Sequence, residues 1–202
     1  MTGGGFFVTL KAMKNIKIQK KLVLSALFAA LVSVGCFIQI PLPGGVPIVI
    51  QDMMAMLAGL LLGPVFGGLA VVIFLLLGAA GLPVFTGKAG VHVLVAGPTS
   101  GFLWGYLLAA VVGGTILALF LSKDKGKGSS AAQWLVISLA ALAATIVLFA
   151  VGIPVGMKII GVGIEKALAI FLIPFIPGNV IKLILMVVLA KKLRPAILAY
   201  TE

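Results

Sequence analysis

The chain has 202 residues, 62% hydrophobic and 9% charged, with a formal charge of +11. A soluble domain carries about 25% charged residues, so a soluble globular protein is excluded. One cysteine (Cys36), one histidine (His92) and four acids (Asp52, Asp124, Glu165, Glu202) exclude an intrachain disulfide and a Cys/His metal site, and leave little for paired-carboxylate chemistry.

In chain order, residues 1–12 (MTGGGFFVTLKA) precede Met13-Lys14-Asn15, which reads as a second initiator. They lack the apolar core of a signal peptide and are read as a leader or disordered tail. Apolar runs near membrane-spanning length follow. The first covers about 20–40 and closes at PLPGGVP. A shorter one covers 48–62, with Asp52 as an acid at its N-terminal end. GPVFGG turns the chain tightly into a third, 66–80. A long Gly-rich connection, GLPVFTGKAGVHVLVAGPTSG, leads to a fourth, 100–121. SKDKGKGSS is a polar linker to a fifth, 131–154. The stretch 156–177 is mixed, with a short helix expected around 165–171. The sixth covers 178–193, and 196–202 is a tail. The expected fold is an all-α integral membrane protein of six transmembrane helices, with 13–195 as one domain.

Six spans place both termini on one side. Lys11, Lys14, Lys17, Lys20, Lys21, Lys123, Lys125, Lys127, Lys191, Lys192 and Arg194 would share that side, which the positive-inside rule makes cytoplasmic. These residues flank apolar runs without interleaved aromatics, so lipid and topology account for the charge and nucleic acid does not. The long connections then lie outside, with Gln51, Asp52, Lys88, His92, Thr99, Asn179 and Lys182. A ligand site is therefore expected to face outward.

GLPVFTGKA is not a P-loop: it has one residue too many between its glycines, and Ala where Ser or Thr must hold magnesium. No cofactor and no catalytic group is expected, and the chain reads as no enzyme. The informative anomaly is Lys182 within PFIPGNVIKLILMVVLAKK, one turn after Asn179. A lysine in an apolar span marks a functional site by default. Lys182 can hold a ligand anion and Asn179 can donate and accept; equally, Asn179 can cap a helix and Lys182 can snorkel. No acid partner for Lys182 stands out. Lys88 and His92 sit in the Gly-rich loop. Ala26-xxx-Ala30, Gly59-xxx-Gly63-xxx-Gly67 and Gly97-xxx-Gly101-xxx-Gly105 have the small-residue spacing of close helix contacts.

Four stretches together, ALFAALVSVG, IPLPGGVPIVIQ, GLPVFTGKAG with AGPTSGFLWGY, and PFIPGNVIKL, resemble the biotin-specific substrate-binding (S) components of energy-coupling-factor (ECF) transporters, the BioY family. The resemblance implies a six-helix bundle with an outward biotin pocket, lidded by the loop between spans one and two. It implies capture of biotin at a bacterial or archaeal plasma membrane, and a module of one transmembrane coupling subunit and two ATPases that energises uptake. Ala26 and Ala30 would form the docking face for the coupling subunit. Lys182 or Lys88 would pair the biotin carboxylate with Asn179 on the ureido group, or Asn179 and Lys182 together would hold the ureido end. Gln51, His92 and Thr99 are further polar candidates, and Phe85, Phe102, Trp104 and Phe175 candidate walls. The family usually has Asp where this chain has Asn179, which removes the expected charge partner of Lys182. An S component for another vitamin and a stand-alone secondary transporter are the alternatives. The second needs carboxylate pairs within the spans, which the sequence lacks.

Overall fold

The computed structural model describes residues 3–40, 48–121 and 130–201. The expected turn PLPGGVP and all but the last residue of the linker SKDKGKGSS lie outside the described residues. The elements are α1 (Gly3–Val34), β1 (Gln39–Ile40), β2 (Ile48–Val49), α2 (Gln51–Ala79), α3 (Val91–Ala96), α4 (Ser100–Phe120), α5 (Ser130–Ile160), α6 (Ile164–Phe171), one 3₁₀ turn (Ile173–Phe175) and α7 (Ile176–Thr201). β1 and β2 form a two-residue antiparallel ladder, Gln39 opposite Val49. Helix α1 begins inside the segment expected to be a leader. Helix α5 continues through Pro154 to Ile160, and α7 runs through Pro195 to Thr201. The short helix expected around 165–171 is α6.

Helix α2 is two antiparallel halves, 51–62 and 64–79. Gly63 breaks it with φ 82° and ψ 177°, a conformation that favours glycine, and Pro64 follows without an N–H to donate. In a straight helix Gly59 and Gly67 would stand about 12 Å apart. Here a Cβ on Gly67 would come within 2.5 Å of the Gly59 Cα. The other ends of the halves also meet: Gln51 Nε2 donates to the Val84 carbonyl, just beyond Ala79, at 2.7 Å. The tight turn expected at GPVFGG is thus a hairpin.

Small residues set the packing of this hairpin. A Cβ on Gly59 would lie 2.0 Å from the Ala110 carbonyl of α4, and one on Gly114 would lie 2.7 Å from the Gly59 carbonyl. Gly101 and Gly105 give α4 the same close approach to Val155 and Leu148 of α5. The glycine spacings therefore serve contacts within the chain. Around them the main apolar core links α1, α2, α4, α5 and α7, with Phe74, Leu60, Leu117 and Met186 fully buried, and a smaller cluster joins Ile153 of α5 to Ala167 and Phe171 of α6. By length and composition, among the described residues, α2, α4, α5 and the stretch Ile164–Thr201 qualify as membrane spans.

The bundle has two unlike ends. At one end Lys20 lies over the Tyr200 ring at 5.1 Å, Lys21 lies over the Phe66 ring at 5.2 Å, and Ser25 donates to the Phe66 carbonyl. There also Arg194 donates to the Leu121 carbonyl and Lys191 to Gln133. The start of α5 and the ends of α4 and α7 thus share the end of the hairpin turn. At the opposite end Gln51 meets Gly35 and Val84, Trp104 Nε1 donates to the Leu94 carbonyl, and Phe171 packs on Gly156.

Candidate ligand pocket

The second end holds a pocket. Val49 of β2, Gln51 and Asp52 of α2, Thr86 of the following loop, and Thr99 at the start of α4 line one side. Phe102, Leu103 and Tyr106 of α4 and Leu148 and Phe149 of α5 supply apolar wall. Phe171, Phe175 and Lys182 close it from α6, the 3₁₀ turn and α7. The cavity is narrow, about 70 Å³. Its lining, mostly aromatic and aliphatic with a few convergent polar groups, is the composition of a small-molecule site.

The polar floor is an ion pair. Lys182 Nζ lies 2.5 Å from Asp52 Oδ2 and donates to the Val49 carbonyl at 3.1 Å. Asp52 Oδ1 accepts from the Met53 backbone N–H at 2.8 Å. Both charged side chains are about 10% exposed. Helix geometry explains why this cluster forms. Asp52 lies in the first turn of α2, where the exposed amide donors favour an anion. The short ladder brings Val49 alongside. Among the described residues no buried side-chain nitrogen or oxygen lacks a partner, so the cost of burying these charges is offset locally. The expectation that Lys182 has no acid partner is corrected here. Asp52 supplies the carboxylate, from 130 residues earlier in the chain.

The other sequence candidates scatter. Gln51, Thr99 and Lys182 line the pocket, as do the walls Phe102 and Phe175. Asn179 lies one turn before Lys182 but faces a separate apolar groove between α5, α6 and α7. Lys88 is exposed, and its backbone bridges that of Phe85 through two hydrogen bonds of 2.9 and 3.0 Å. His92 is exposed on α3. Phe85 is buried beneath Gly78, edge-on to Phe74 at 5.5 Å, as part of the core and not of the pocket lining. Trp104 is half exposed, outside the pocket. Ala26 and Ala30 are exposed on α1, with Ala29 between them turned inward.

Sequence reasoning missed Tyr106, Leu103, Leu148, Phe149, Phe171 and Thr86 as lining residues. Tyr106 carried a usable signal: it stands one turn after Phe102 in GPTSGFLWGY, a polar tip in an apolar run that needs a partner or a cavity. Leu148 and Phe149 carried none, because their run is apolar on every face.

A bundle of apolar, membrane-length helices with an ion pair at the floor of an aromatic-walled pocket defines an integral membrane protein with a small-molecule site. The chain belongs to the BioY family, whose profile matches residues 10–199. It is 36% identical to the biotin transporter BioY of Thermotoga maritima over 176 residues, covering 87% of this chain and 96% of that relative. It is 38% identical to the biotin transporter BioY of Rhizobium etli, covering 85% of this chain and 91% of the relative. Among solved structures it is similar to the S component for biotin from an ECF-type ABC transporter, with a TM-score of 0.76 and 32% identity, covering 87% of this chain and 91% of that one.

Proposed function

We infer that this protein captures biotin for an ECF-type uptake transporter, holding it in the pocket above the Lys182–Asp52 pair. The observation that carries the reading is that pair: a buried ammonium and carboxylate, side by side, at the floor of a pocket with four phenylalanine rings and Tyr106 in its wall. The pair is neutral as a unit. It matches a neutral ligand end that both accepts and donates, and the ureido group of biotin does so through one carbonyl and two N–H groups. A free carboxylate would have to displace Asp52 from Lys182. The ureido end therefore belongs at the ion pair, the bicyclic body lies among Phe102, Phe171 and Phe175, and the acid tail runs towards Thr86 and Thr99.

The two unlike ends support one orientation. With the basic end in the cytoplasm, as the positive-inside rule requires, six spans place both termini inside and the pocket outside. The spans are α1, the two halves of α2, α4, α5 and α7. The cell membrane is the expected location, and a transmembrane coupling subunit with two ATPases the expected partner. The exposed Ala26 and Ala30 on α1 offer a smooth face on which such a subunit can pack closely.

The test is equilibrium binding of labelled biotin to the detergent-purified protein, with Lys182→Ala alongside. Saturable binding that the variant loses is the expected result. Binding retained by the variant would move the site away from the ion pair, and no binding by either protein would overturn the biotin assignment.

A further inference from the structure

We propose that Thr86 is a specificity-determining residue: a strained turn holds its hydroxyl at the pocket wall, where it donates to the acid tail of the ligand in place of a cation. The proposal rests on the pocket being the biotin site, with the ureido end on the ion pair. In that pose the tail meets no free positive charge. Among the described residues, Lys182 is the one basic side chain in the lining, and Asp52 and the Val49 carbonyl hold it. Towards the tail end the lining offers the hydroxyls of Thr86 and Thr99. Neither is engaged within the protein. Among the described residues no hydrogen bond involves the Thr86 side chain, and Thr99 stands at the N-cap of α4 without capping it.

The backbone at Thr86 points the same way. Phe85 and Lys88 pair around a two-residue turn. The Lys88 N–H donates to the Phe85 carbonyl at 3.0 Å, and the Phe85 N–H to the Lys88 carbonyl at 2.9 Å. The two central residues have positive φ, 50° at Thr86 and 81° at Gly87. Such a turn favours Asn, Asp or Gly at both places, and a β-branched residue is disfavoured there. Among the described residues Thr86 is the one non-glycine residue with positive φ. Strain of this kind persists where the surroundings fix the backbone, and here they do. The Cys36 thiol points to the Pro83 carbonyl at 3.9 Å, and Gln51 Nε2 donates to the Val84 carbonyl at 2.7 Å. Phe85 packs edge-on to Phe74 beneath Gly78, and the Gly90 N–H donates to the Gly78 carbonyl at 2.7 Å. These anchors flank Thr86 on both sides and leave its own side chain unbonded and half-buried against the pocket. Of the residues the turn prefers, glycine offers no donor and aspartate repels an acid. Threonine supplies a short neutral donor at a fixed point of the wall.

The probes are biotin and its analogue in which a methyl group replaces the carboxylate, titrated into the purified full-length protein. The readout is the ratio of the analogue's Kd to that of biotin. The wild type is expected to favour biotin. Thr86→Val keeps the shape and the β-branch and removes the donor, so the ratio should fall about tenfold, the scale of a lost hydrogen bond to a charged group. Thr86→Ser keeps the donor and should hold the ratio near its wild-type value. Thr86→Gly suits a positive φ and carries the test if the valine variant is not recovered folded; its ratio should fall as far. A ratio unchanged in the valine and glycine variants, or a Kd that rises equally for both ligands, overturns the role of Thr86 while leaving biotin capture standing. So does a serine variant whose ratio falls as far as that of valine, or a wild type that binds the analogue as well as biotin. A wild type that binds neither probe overturns the biotin reading and the role of Thr86 with it.

Discussion

The pocket and the groove lie back to back on α5, α6 and α7, built from neighbouring residues, yet they are chemically opposite. The pocket gathers Gln51, Asp52, Thr86, Thr99, Tyr106 and Lys182 among its aromatic walls. The groove has a long apolar lining interrupted by Thr145 and Asn179. The difference shows what lets a charge enter an apolar bundle. Lys182 is tolerated because α2 presents Asp52 and β2 presents the Val49 carbonyl at the same point. Asn179, one turn away on the same helix, meets no such cluster and stays on the apolar side.

The strongest way to break this contrast is to remove the ammonium. Lys182→Ala leaves Asp52 buried and unpaired, and should cost about 3 kcal/mol in stability together with a loss of biotin affinity on the order of a hundredfold. Thermal unfolding and titration calorimetry read the two effects separately. The paired replacement Lys182→Met with Asp52→Leu separates them further. Stability should recover to within about 1 kcal/mol of the wild type, while biotin binding stays lost. Recovered binding would mean that the pair serves packing alone.

Next in size is Asp52→Asn, which keeps the shape and withdraws the negative charge. Affinity should fall about tenfold, because one charge-assisted hydrogen bond to the ligand becomes neutral. Gln51→Leu frees the Val84 carbonyl and loosens the loop that carries Thr86, for an expected loss of about fivefold. The smallest effect belongs to the groove: Asn179→Asp should change biotin affinity by less than about threefold, since its side chain faces away from the ion pair. A larger change would mean that α7 turns on binding. Three residues of helix correspond to a rotation of about 60° in the short sense, which is what would bring position 179 towards the ligand.

Much of the bundle was legible because hydrophobic length and Gly/Pro punctuation are local signals. The runs at 48–62 and 66–80, the hairpin at Gly63-Pro64 and the short helix α6 all follow from residues close in sequence. The pocket lining was legible only at Lys182, Gln51, Asp52, Thr99 and the walls Phe102 and Phe175. Asp52 was seen as a helix-start acid but not as the partner of Lys182, because nothing across their separation of 130 residues signals the contact. The Asn179–Lys182 pairing rested on three-residue spacing, which puts side chains on the same broad face. The pocket and the groove divide such a face, with Lys182 on one and Asn179 on the other, so spacing alone does not assign both members to one site. Phe149 was invisible because aromatic and aliphatic residues in an apolar span read alike whether they meet lipid, core or ligand.

The hairpin in α2 sets the depth of the ion pair. Its first half, 51–62, rises about 18 Å and its second, 64–79, about 24 Å, both less than the roughly 30 Å of hydrocarbon in a typical membrane. The first half is buried along almost its whole length, so protein and not lipid surrounds it. Asp52 opens this shorter arm, so the ion pair stands only about 18 Å from the turn at Gly63. In the proposed orientation, a vitamin arriving from solution meets the ion pair after descending only part of the membrane's thickness.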